Sequence, residues 1–112
     1  MERDIKDIPI EKQGRPNKIY EELKPPAKVA LRILEYNDIK AQDVNFSILC
    51  KDLEGKISRV SIHDALDTLI DQGSLHSGWQ KNERKHWIRG YHIAGEEQKR
   101  QLRGLYRATH DV

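Results

Sequence analysis

The chain has 112 residues, enough for one domain with a short appendage, and a domain of this size buries roughly two-thirds of the surface its unfolded chain exposes. Its single cysteine, Cys50, excludes an intramolecular disulfide and fits a reducing cytoplasm. Lysine and arginine number 20 against 18 aspartate and glutamate, so the placement of positive charge, not its sum, bears on any polyanionic partner.

Taken in chain order, residues 1–24 contain Pro9, Gly14 and Pro16 and little that forms a core, which predicts an extended basic arm. The start MERDIKDIPIEKQ is too charged for a signal peptide, and no apolar run approaches the roughly 18 residues of a membrane span, so a soluble protein without membrane contact is expected. Within the arm, IYEELK (19–24) reads as a helical turn anchored by Tyr20 and Leu23. Pro25 and Pro26 then mark a helix start. AKVALRILEYN places Ala27, Ala30, Leu31 and Leu34 on one stripe and ends near Asn37 and Asp38. The linker DIKAQDV has room for a brief strand around Ile39. FSILCKDLE then presents Phe46, Leu49, Cys50 and Leu53 to the same core, with Asn45 as its cap and Gly55 as its stop.

The next stretch, SRVSIHDALDTLIDQGSL (58–75), has Ile62, Ala65, Leu66, Leu69 and Ile70 at amphipathic-helix spacing and Gly73 at its end. Ser61 followed by Asp64 fits a capping box, which puts His63 at the second helical position. Asp64 has a second reading, as an acceptor for cytosine N4. The preceding helix is only a few residues away, so the two must cross steeply, as in a helix-turn-helix. LHSGW and HWIRGYHI, separated by QKNERK, read as a β-hairpin of unfixed register. The tail, GEEQKRQLRGLYRATHDV, offers a helix with Leu102, Leu105 and Tyr106 on one face.

This order of elements, with SRVSIHDALDTLIDQGSL…WIRGYHI at its centre, resembles the winged helix-turn-helix domain of small transcription regulators of the MarR and PadR types. The expected fold is therefore α+β, mainly α: a three-helix core with a β-hairpin wing over 25–94, preceded by the arm at 1–24 and followed by a C-terminal helix at 95–112. The resemblance implies a sequence-specific DNA-binding regulator. Base edges would meet Arg59, Ser61, His63, Asp64 and Thr68 at the start of the second helix-turn-helix helix, and the tail helix would make a homodimer. That reading helix is itself acidic, with Asp64, Asp67 and Asp71 against Arg59. Affinity for phosphate must come from its flanks. The wing supplies Lys81, Arg84, Lys85 and Arg89 against Glu83, and the arm supplies Lys12, Arg15 and Lys18 against Glu11. Gly14-Arg15-Pro16 also resembles the core of an AT-hook, which lies in a narrow minor groove.

Catalytic and metal chemistry find little support. His63, His76, His86, His92 and His110 show no metal-ligand spacing, and one cysteine supplies a structural zinc poorly. Ser61, His63 and Asp64 are neighbours at a helix start and cannot form a triad. No glycine-rich phosphate loop exists, and Trp79, Trp87 and Tyr91 read as hairpin packing. Neither enzyme activity nor a cofactor is expected. The acidic helix keeps a second class open, a winged helix used as a protein-interaction module in a larger complex, with RNA binding through the wing a weaker third.

Overall fold

In the computed structural model, which describes residues 16–110, the helices are α1 (Lys18–Glu22), α2 (Pro25–Ile39), α3 (Phe46–Asp52), α4 (Arg59–Asp71) and α5 (Gly95–Thr109), and the strands are β1 (Val44–Asn45), β2 (Leu75–Lys81) and β3 (Trp87–Ile93). The strands form one antiparallel sheet in the order β1-β3-β2. This α+β arrangement is compatible with a winged helix. Leu31, Ile33 and Leu34 of α2 meet Leu49 of α3, Ile62 of α4, Leu75 of β2 and Tyr106 of α5 in a single core, all fully buried.

α2 is central because it is apolar on most of its circumference; Val29, Ala30 and Tyr36 are buried in addition to the three core residues above. It starts at the expected prolines but runs past Asn37 and Asp38 to Ile39. These two polar residues are tertiary ties, not stop signals. The Asn37 amide donates to the Gln42 carbonyl (3.0 Å) and its oxygen accepts from the Ile93 amide (2.9 Å), joining helix to sheet. The Asp38 carboxylate takes two bonds from the Arg103 guanidinium (2.7 and 3.2 Å), joining α2 to α5. The brief strand accordingly lies at Val44–Asn45 and not around Ile39. Asn45 then caps α3 as expected, its side chain accepting from the Ile48 amide at 2.9 Å.

The start of α4 differs from the expectation. Its N-cap is Ser58, whose hydroxyl accepts from the Ser61 amide at 3.1 Å, so the helix begins three residues early. Burial decides this. With Ser58 as cap, Ile57 and Ile62 occupy the flanking apolar positions of a hydrophobic staple, and both are buried. Asp64 is therefore not the acidic partner of a capping box, and His63 is the fifth helical residue. At the other end Gly73 stops the helix as read. Its φ of 76° is open to glycine, and the Gly73 and Ser74 amides close back on the Ile70 and Leu69 carbonyls at 3.0 and 2.9 Å.

α5 folds back on its own domain. Tyr106 is fully buried and stacks on His110 at 4.0 Å, and the Asn17 amide donates to the Thr109 carbonyl at 2.9 Å. The helical turn expected at 19–24 is α1, one residue earlier, which lies beside the end of α5, so this part of the N-terminal segment is not extended. A polar cluster closes the space between α2 and α3. Arg32 bridges Glu35 (2.5 Å) and Asp52 (3.2 Å), and the Tyr36 hydroxyl donates to Asp52 at 2.6 Å. Burial pushes the Glu35 carboxyl above the usual range, against the pull of Arg32.

Candidate nucleic-acid interface

The outward stripe of α4 is the complement of its buried one. Val60, His63, Asp64, Asp67, Thr68 and Asp71 recur at helical spacing and are all exposed. Arg59, also exposed, is the first helical residue. Of the residues expected to read bases, the helix brings Arg59, His63, Asp64 and Thr68 to one accessible region. Ser61 is engaged at the helix start, its hydroxyl 3.0 Å from that of Ser58. His63 Nδ1 lies 3.5 Å from the Asp67 carboxylate, and its ring meets Phe46 of α3 edge-on at 6.2 Å between centroids. The residue missed is Val60. It is 72% exposed, and an apolar group there can contact a thymine methyl. Beginning the helix at Ser61 hid it, although the outward set 60, 63, 64, 67, 71 is as periodic as the inward one.

The hairpin carries four cations against the single carboxylate of Glu83. Its register runs from Leu75 opposite Ile93 to Lys81 opposite Trp87. Asn82 organises the turn: its side chain accepts from the Arg84 and His86 amides, each at 3.0 Å, and its own amide donates to the His86 carbonyl at 2.9 Å. Lys85 adopts the left-handed conformation (φ 63°) that such short loops require. Lys81, Arg84, Lys85 and Arg89 are all exposed around this tip. A groove of about 490 Å³ lies between this tip and the start of α3, with Asn45, Ser47, Gln80, Lys81 and Arg84 on its walls.

Two tryptophans depart from the packing role expected of them. Trp79 is 69% exposed and Trp87 63%. They belong to the face whose base, Leu75, Tyr91 and Ile93, covers the core, but the hairpin outreaches the helices beneath it, so Tyr91 is buried and the tryptophans are not. Lys81 Nζ stands 5.2 Å from the centre of the Trp87 ring. On the opposite face His76 pairs with His92 edge-to-face at 5.7 Å, and His92 Nδ1 is 3.4 Å from Asp43, while His86 lies apart in the turn. Among the described residues, no group of three or more His, Cys, Asp or Glu is placed to hold a metal ion.

From the N-terminal segment, Lys18 is exposed at the first residue of α1. Lys12 and Arg15, and with them the Gly-Arg sequence before Pro16, lie outside the described residues. No described helix is long and apolar enough to cross a membrane.

No family model matches the chain, and no curated protein does. Among solved structures it is similar to Pex from Synechococcus sp. (strain PCC 7942), with 22% sequence identity, covering 77% of this chain and 81% of that one at a TM-score of 0.55. At that identity the likeness is one of fold alone.

Proposed function

We propose that the chain is a winged helix-turn-helix transcriptional regulator of the MarR and PadR kind, binding double-stranded DNA without catalysis and acting in the cytoplasm as a homodimer. The observation that carries this reading is the hairpin, which projects four exposed cations around one turn beside a helix whose outward face is free. Lys81, Arg84, Lys85 and Arg89 contact phosphate, and Lys18, Lys12 and Arg15 extend that contact from the N-terminal side. Arg59, Val60, His63, Asp64 and Thr68 meet base edges in the major groove, with Ser61 holding the helix start. The buried thiol of Cys50 suits a reducing compartment.

Binding of genomic fragments, including the chain's own promoter, at about 50 and 200 mM salt tests the reading. A protein that neutralises 6–10 phosphates loses about 10³- to 10⁵-fold affinity across that range. No binding even at the lower salt favours a second reading, a protein-interaction module. The observation behind that alternative is the row of exposed carboxylates Asp64, Asp67 and Asp71 along α4.

A further inference from the structure

The cations of the wing account for attraction to a phosphate backbone but not for what stands between them. Along the outer half of one hairpin face, Trp79 lies opposite Arg89 and Lys81 lies opposite Trp87, so aromatic and cationic side chains alternate both along and across the strands. Both indoles are more than 60% exposed, a large apolar area to leave in water. We infer that Trp79, Lys81, Trp87 and Arg89 form a platform on which unpaired DNA bases stack, which rests on the reading of the wing as a DNA-binding element.

Three features of the site favour this occupant. The hairpin carries four cations against the single carboxylate of Glu83, so a polyanion is attracted and a basic or wholly apolar face is not matched. Stacking on indole tolerates any base, because every base has a π-face, and adjacent cations hold the backbone. The spacing also selects the strand. Trp79 and Trp87 are diagonal neighbours, about 7–8 Å apart at the backbone, whereas stacked bases of a duplex strand rise by about 3.4 Å. Two indoles so placed receive consecutive bases only from an unstacked, extended strand. Lys81, 5.2 Å from the Trp87 ring centre, already occupies one side of that ring and restrains it for stacking on the other.

Trp79 and Trp87 are the only two tryptophans in the chain, so emission excited beyond the tyrosine absorption band reports this face alone. The probe is the single-stranded oligonucleotide dT12, which pays little to unstack, compared with a 12-base-pair duplex. Titration with dT12 should quench tryptophan emission strongly, and the duplex, when bound, should quench it weakly. With labelled dT12 followed by anisotropy, Trp79→Ala and Trp87→Ala should each weaken binding by about 5- to 150-fold while leaving duplex binding essentially unchanged. Both side chains are exposed, so thermal midpoints should match the parent and loss of folding is not a confounder. Duplex binding with no response to dT12, or dT12 binding without quenching, overturns the platform and leaves the regulator reading standing. Binding to neither probe, together with no binding of genomic fragments at about 50 mM salt, overturns both.

Discussion

At the tip of the wing, Lys85 holds a left-handed backbone that costs a residue with a side chain about 1 kcal/mol or more. Asparagine adopts it more readily, so Lys85→Asn removes a cation without weakening the hairpin. With DNA affinity measured against salt, Lys85→Asn and Arg84→Ala should each flatten the log–log slope by about 1 on every sequence alike. An unchanged slope takes the wing out of the interface. His63 should behave differently in kind. His63→Ala is expected to cost about 1–3 kcal/mol on a preferred site and much less on random DNA. Because His63 lies 3.5 Å from Asp67, that substitution also uncovers a carboxylate. Asp67→Asn should raise affinity for all DNA, and the double variant separates the lost contact from the added repulsion. If neither single change alters binding, α4 does not face DNA. Tyr36 concerns stability alone. Burial first, and then its bond to Asp52, push its hydroxyl up to about 12. A folded-state value above the unfolded one gives stability that is complete below pH 10 and is lost as pH rises toward about 12. Tyr36→Phe should cost about 1.5–3 kcal/mol at pH 7. It should also flatten the alkaline decline, which urea midpoints from pH 8 to 11 will show.

Among the elements, α5 is held to the domain at two points of different character. Tyr106 fills the core, while Arg103 pairs with an Asp38 side chain that is only 4% exposed. Removing one partner of such a pair leaves a buried charge, so Arg103→Ala should lower stability by about 3–5 kcal/mol. Urea unfolding that reports a loss below about 1 kcal/mol would falsify the claim that this carboxylate is sealed from water. The same packing constrains how the tail can serve a dimer. Deleting it removes Tyr106 from the core, so truncation tests folding rather than association. What α5 leaves available is Leu102 and Leu105, half-buried beside Ala27 and Ala30 along an apolar groove of about 460 Å³.

For the molecule as a whole, the exposed cations Lys81, Arg84, Lys85 and Arg89 gather on the hairpin, while the exposed carboxylates Asp64, Asp67 and Asp71 line α4. A dimer formed along the α2–α5 groove would place two such hairpins in one particle, with reading helices about 34 Å apart on an inverted repeat. Sedimentation at micromolar concentration should give a dimer, and footprinting should give two protected half-sites one helical turn apart. A monomer binding a single half-site rules out the symmetric arrangement.

The local chemistry of the chain settled much of this in advance. The prolines at 25 and 26, Asn45 as a cap and Gly73 as a stop act through neighbouring backbone groups, so a short window of sequence contains all the information they use. The stripe of Ile62, Ala65, Leu66 and Leu69 likewise fixes which side of α4 is buried, because period 3.6 is a property of the helix itself. Three things depended on contacts remote in sequence. Ser58 capped α4 in place of Ser61 because burying Ile57 with Ile62 outweighed an equally plausible local box. Asp38 became a buried ion-pair partner of Arg103, 65 residues away, where the sequence offered a helix end. The exposure of Trp79 and Trp87 was decided by how far the hairpin reaches past the helices that cover its base, a length no residue in the hairpin encodes.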